Sequence, residues 1–219
     1  MSNVMSDNAI KSIAIKSILY NSKNKNAMKK IILTAAVVLA SAASYAQHAV
    51  GSFTLQPKVG LNIASLTSCD GADPRYGVAA GAELEYQATD IFSISAGAIY
   101  SMQGNKYSEK SATVTNKTDY INIPILANVY VVKGLAVKAG IQPGFKVNDE
   151  VKFAYNDNST SKDVDKAESF DFSIPVGLSY EFSNVVLDAR YNFGCTKVIK
   201  DVDPKNSVFQ ITLGYKFDL

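Results

Sequence analysis

The sequence predicts an all-β fold: a closed, antiparallel, eight-stranded up-and-down transmembrane β-barrel preceded by an N-terminal signal peptide. Three observations predict it. Eight stretches alternate apolar and polar residues, the connections between them alternate short and long, and a secretory leader stands ahead of the first stretch.

Taking every second residue gives Phe53–Ile63, Tyr76–Tyr86, Phe92–Tyr100 and Ile121–Val131, then Leu135–Val147, Phe170–Phe182, Val185–Phe193 and Phe209–Phe217. None of the 47 residues in these rows is charged. Period two is the signature of a strand with two unlike faces, and this pattern repeated with hairpin connections is that of a bacterial outer-membrane barrel. Thr89-Asp90, Lys133-Gly134 and Ser183-Asn184 are tight turns. The segments Leu66–Asp73, Gly104–Lys117, Asn148–Ala167 and Thr196–Asn206 are long polar loops, the third of which, around Asn156–Lys162, reads as mobile. Short periplasmic turns and long external loops predict four loops outside the cell.

Met28-Lys29-Lys30 followed by the apolar run Ile31–Ala40 and then Ser44-Tyr45-Ala46 has the form of a secretory signal with an A-x-A-like cleavage site. The run is too short to span a bilayer well. The expected organisation is residues 1–27 as a leader extension or as residues ahead of a true start at Met28, 28–46 as the signal peptide, 47–52 as a short periplasmic segment and 53–219 as the barrel domain. Residues 1–46 hold six basic side chains and one acidic, leaving 16 basic and 19 acidic, a net charge near −3. The basic pI of 8.3 therefore reflects the leader and gives no warrant for a nucleic-acid partner.

The polar face of the same stretches decides which side meets lipid. It carries Lys58, Lys138, Lys146, Arg190 and Lys216 against Glu83, Glu85, Asp171, Glu181 and Asp188. Facing lipid near mid-depth, each basic residue would cost about 2–4 kcal/mol, and several such penalties would rival the roughly 5–15 kcal/mol that holds a domain folded. Turned inward, these ten residues form a structural polar network in a filled lumen. Nine glycines, among them Gly60 and Gly140, share that inward parity and permit the bends of closure. Aromatics cluster at both ends of the apolar face, Phe53, Tyr86, Phe92, Tyr180, Phe182, Tyr215 and Phe217 at one rim and Tyr76, Tyr100, Phe145, Phe170, Tyr191, Phe193 and Phe209 at the other, as interfacial girdles do. Pro57, Pro124, Pro143 and Pro175 forfeit ladder hydrogen bonds; bulges are expected there, especially in Tyr120–Pro124.

Little in the chain points to chemistry. His48, the only histidine, lies ahead of the barrel, so neither a Ser-His-Asp arrangement on the wall nor a His-based metal site is expected. Glu83 and Glu85 share a face and invite an acid/base reading, but neutralisation of neighbouring cations is the better one. Asp149-Glu150 and Asp201-Val202-Asp203 lack the spacing of a calcium loop. No catalytic residue, metal site or cofactor is expected. Cys69 and Cys195 fall at loop ends on one side; a disulfide between them is chemically allowed after export, and two unpaired thiols is the alternative.

Lys58-Val59-Gly60-Leu61-Asn62, Tyr100–Gly104, Tyr120–Leu126, Ala139–Gly144, Asp188–Tyr191 and the ending Gly214-Tyr215-Lys216-Phe217 occur in an order that resembles the PorT-like family of outer-membrane β-barrel domain proteins. The resemblance spans roughly Pro57 to Phe217. It implies the barrel architecture, with Pro124 and Pro143 matching proline positions of the family. The founding member's association with a protein-secretion system is not carried over. The ending also resembles the C-terminal strand signal read by the outer-membrane assembly machinery, from which it departs by finishing Asp218-Leu219. The expected function is thus a non-enzymatic integral outer-membrane barrel, a monomer whose partners are outer-membrane lipid, the assembly machinery and whatever ligand the external loops bind. The rival readings are a soluble, lipocalin-like secreted barrel holding an apolar ligand, and a small channel or secretion accessory.

Overall fold

The computed structural model describes residues 48–67, 73–109, 112–155, 158–164, 167–198 and 204–219. The leader, the signal peptide and Cys69 lie outside the described residues. The strands are β1 (Phe53–Leu66), β2 (Asp73–Thr89), β3 (Phe92–Glu109), β4 (Ala112–Asn122), β5 (Ile125–Val132), β6 (Leu135–Tyr155), β7 (Asn158–Asp163), β8 (Phe170–Phe182), β9 (Val185–Gly194), β10 (Asn206–Tyr215) and β11 (Phe217–Asp218). β4 and β5 both lie between β3 and β6 and act as one stave, and β11 continues β10 along β1. Eight staves result, and β1 pairs with β2 on one side and β10 on the other, closing an antiparallel ring. Closure leaves no open edge, which is what lets a sheet sit in hydrocarbon.

The alternation fixes sidedness. Along β1, Val59 and Leu61 are 58% and 62% exposed on the outside, while Gln56, Lys58 and Asn62 are buried inside. An apolar-ligand barrel would need the reverse. Aromatic pairs mark both rims of the outer face: Phe53–Tyr86 and Tyr215–Phe217 at the end with the tight turns, Phe145–Phe170 and Tyr191–Phe193 at the other. At the turn end, Ser183 and Asn184 both have positive φ, 47° and 71°, the twist-matched hairpin form.

Glycine is required where neighbouring strands press together. A Cβ on Gly60 would lie 1.9 Å from the Ile211 carbonyl oxygen, and one on Gly140 2.0 Å from that of Ile125. Either would force neighbouring strands apart. The prolines behave differently from expectation. Pro124 interrupts β4 and β5 without changing register, since Asn122 pairs Gly144 and Ile125 pairs Ile141 in one frame. The register shift lies instead at Asp119/Tyr120, where Val147 is the extra residue of β6.

Two of the four expected loops are paired strand. β3 and β4 run together from Ile99/Asn122 out to Glu109/Ala112, and β6 extends to Tyr155, where β7 folds back on it from Asn158↔Tyr155 to Asp163↔Glu150. The segment read as mobile thus contributes an ordered ribbon over 158–163. Period two marks a strand only where its faces meet different media, and these ribbons lie beyond the apolar band.

Candidate functional site

The lumen is bridged at its centre by five charged side chains, each at most 5% exposed. Lys58 Nζ donates to Glu83 Oε2 at 2.8 Å. Arg190 reaches across from β9 to Glu83 at 2.9 Å and grips Asp188, two residues away on its own strand, through Nε and Nη2 at 2.8 and 2.7 Å. Lys138 from β6 and Lys58 from β1 approach Asp188 at 3.2 and 3.6 Å. Strands β1, β2, β6 and β9 are therefore tied through one ionic knot. Burying a charge is tolerable only when it is paired and hydrogen-bonded, and here every member meets an opposite charge.

A second cluster closes the turn end. Lys216 Nζ lies 3.0 Å from Glu85 and 2.9 Å from Glu181. The Tyr130 hydroxyl accepts from Lys216 at 3.1 Å and donates to Glu85 at 2.6 Å, and Ser93 also donates to Glu85. His48 completes it, contrary to the expectation that it stands apart from the barrel. Its Nε2 is 3.0 Å from Glu181 and its Nδ1 2.5 Å from Asp218, so the segment before β1 is pinned across the mouth. The hydrogen bond to Glu181 raises the His48 pKa above its ordinary 6.5, while burial opposes the rise.

Eight of the ten expected network residues thus fall into these two clusters. Lys146 and Asp171 do not. Lys146 turns to the hairpin end, donating to the Ala167 carbonyl at 2.7 Å and lying 3.5 Å from Asp149; Asp171 accepts from Thr196 Oγ1 at 2.9 Å. Both lie toward the hairpin end of the lumen, away from the cations of the two clusters. Glu83 and Glu85 are held in different clusters by different cations, Glu83 by Lys58 and Arg190 and Glu85 by Lys216. Cys195 is exposed, and its suggested partner Cys69 is outside the described residues.

Charge alone as a criterion passes over Tyr130, and the ten expected residues omit Arg75, a charged residue of inward parity that bridges Asp119 at 3.0 Å and the Gln103 carbonyl across the gap in β2–β3 pairing. Parity would have found Tyr130, which shares the inward face of β5 with buried Asn128. Nothing in the sequence signals His48, because its partners lie 133 and 170 residues away.

The hairpin end is built differently. Beyond the knot the inward side chains are mostly amides and hydroxyls, including Asn62, Ser101, Gln103, Asn105, Gln142 and Gln210, all buried. Above them a cavity of about 100 Å³ is lined by β1, β3, β4 and β6 together with Val164, Ala167 and Val198.

The outer membrane protein beta-barrel domain family matches residues 45–200. The chain belongs to that family. It is an integral outer-membrane β-barrel protein, located in the outer membrane. No curated protein matches it by sequence. Among solved structures, it is similar to the attachment invasion locus protein Ail of Yersinia pestis (16% identity, TM-score 0.45, 77% of this chain and 100% of that one). It is similar also to Neisserial surface protein A (15%, 0.46, 75% and 97%) and to the outer membrane protein OprG of Pseudomonas aeruginosa (14%, 0.39, 78% and 97%).

Proposed function

We propose that this barrel is a non-enzymatic, monomeric membrane anchor with a sealed lumen, whose work is done by the ribbons at its hairpin end. The single observation carrying this reading is the Lys58–Glu83–Arg190–Asp188–Lys138 knot, which spans the lumen with side chains of 0–4% exposure. A solute crossing the barrel would have to break several buried ion pairs at once. The hairpin end, with its long paired extensions, faces outside the cell, and the turn end faces the periplasm. The motifs from Lys58–Asn62 to Gly214–Phe217 support placing the chain in the PorT-like branch of its family. Outer-membrane lipid covers the apolar band, and the assembly machinery reads the terminal strand, where the Tyr215 and Phe217 rings lie 4.7 Å apart, tilted by 54°.

Reconstitution in planar bilayers tests the sealed lumen. Wild-type protein inserted in a folded, heat-modifiable form is expected to give no steady conductance. Regular single-channel steps from the wild type would replace this reading with that of a small channel.

A further inference from the structure

We infer that the cavity at the hairpin end is a binding site for a small, uncharged, branched aliphatic carbonyl compound. This rests on the reading above that the hairpin end faces outside and carries the function. The register shift at Asp119/Tyr120 creates the site. With Val147 inserted, the inward residues of β6 change from even numbers (Gln142, Lys146) to odd, turning Asp149 and Val151 toward the mouth. The pairings then align Gln103, Thr118 and Asp149 in one row and Asn105, Asn116 and Val151 in the next.

The far wall is held in place by hydrogen bonds. Asp149 Oδ2 accepts from the Ala167 amide at 2.9 Å, and its carbonyl accepts from the Val164 amide at 3.0 Å. The Glu168 amide donates to the Val198 carbonyl at 2.7 Å, and the Val198 amide to that of Pro204 at 2.9 Å. Ala167 and Val198 are consequently 5% and 3% exposed although they belong to connections. Leu66, Val151, Val164, Ala167 and Val198 make the walls largely aliphatic.

One group in this cavity calls for a ligand. Asn105 is 1% exposed, and its Oδ1 accepts from Asn116 Nδ2 at 2.9 Å. Its Nδ2 has no hydrogen-bond partner among the described residues. A buried donor left unmade carries its full desolvation penalty, and native proteins satisfy nearly all such groups. The complement is an acceptor oxygen. Lys146 and Asp149 neutralise one another beside the cavity, so a net charge on the ligand gains nothing there. A volume near 100 Å³ is smaller than the roughly 150 Å³ apolar cavity that takes up benzene, and suits a short branched chain carrying one carbonyl better than a ring system. Tyr107, Val114 and Phe153 form the next row outward and would receive a longer tail.

The test uses the full barrel in lipid nanodiscs, methyl-labelled at Ala, Leu and Val, titrated with isobutyramide. Saturable shifts are expected for the methyls of Leu66, Val151, Val164, Ala167 and Val198. Asn105→Leu removes the donor and is expected to weaken binding roughly tenfold or more. Ala167→Leu fills the cavity from a position whose own side chain makes no hydrogen bond and is expected to abolish the shifts; it carries the test if Asn105→Leu does not fold. No saturable shift in the wild type, or unchanged affinity in both variants, overturns the proposal. Because conductance is measured separately, a leaky barrel would sink the sealed-lumen reading and leave this result standing.

Discussion

The two halves of the lumen grow from the same eight staves yet hold different chemistry. From the central knot to the turn end, Lys58, Glu83, Glu85, Lys138, Glu181, Asp188, Arg190 and Lys216 each lie within 3.6 Å of an opposite charge. Toward the hairpin end the filling is mostly neutral, the buried amides and hydroxyls of Asn62, Ser101, Gln103, Asn105 and Gln142. Ion pairs lock strands together because each charge depends on its neighbour. Amides and hydroxyls carry no such interlocking charge. The two halves differ in how firmly they tie strand to strand, and the cavity lies in the less firmly tied one.

Removing one member of the knot is the strongest way to break this contrast. Asp188→Ala leaves Arg190, Lys58 and Lys138 gathered around the single carboxylate of Glu83 and is expected to lower unfolding stability by about 3–5 kcal/mol, read as the shift of urea midpoint in lipid vesicles. Leu61→Arg tests the sidedness that both halves share. An arginine on the lipid face near mid-depth should cost about 2–4 kcal/mol in the same assay, and a neutral result would mean that this face is not in hydrocarbon. In the amide-lined half, Gln142→Leu removes a hydrogen bond to Ser173 and should cost only about 1 kcal/mol. An effect as large as that of Asp188→Ala would erase the distinction between the halves.

The smallest effect belongs to His48 and depends on pH. Its folded pKa is raised above the ordinary 6.5, chiefly by the hydrogen bond to Glu181. A raised folded pKa means that the protonated imidazole is bound more tightly in the folded state. The stabilisation is then complete below about pH 6.5 and is lost as pH rises through the raised value. Wild type should exceed His48→Ala in urea midpoint at acidic pH, with the gap narrowing toward alkaline pH. A gap that widens as pH rises would show that the contact works through neutral hydrogen bonding instead.

Much of the barrel is legible from alternation alone because lipid enforces it. Each stave has one face in hydrocarbon, so the apolar rows from Phe53–Ile63 to Phe209–Phe217 could not vary freely. The same constraint turns the charged residues of the polar face inward, where eight of the ten meet in the two clusters. It fails where lipid ends. Gly104–Lys117 and Asn148–Ala167 carry no clean period, and their strands exist because β3, β4, β6 and β7 pair with one another. Lys146 and Asp171 share the inward parity of the others but sit too far toward the hairpin end to reach the clusters.

The sequence by itself determined the number of staves and turned the apolar rows outward and the ions inward, since a period-two pattern with ten charges on one face would be heavily penalised with that face in lipid. Only the tertiary structure decided which ions meet, that His48 latches the turn end and that one extra residue at Val147 reverses the inward face of β6. Those outcomes depend on stagger between strands distant in sequence, and a local pattern of side chains carries no measure of stagger.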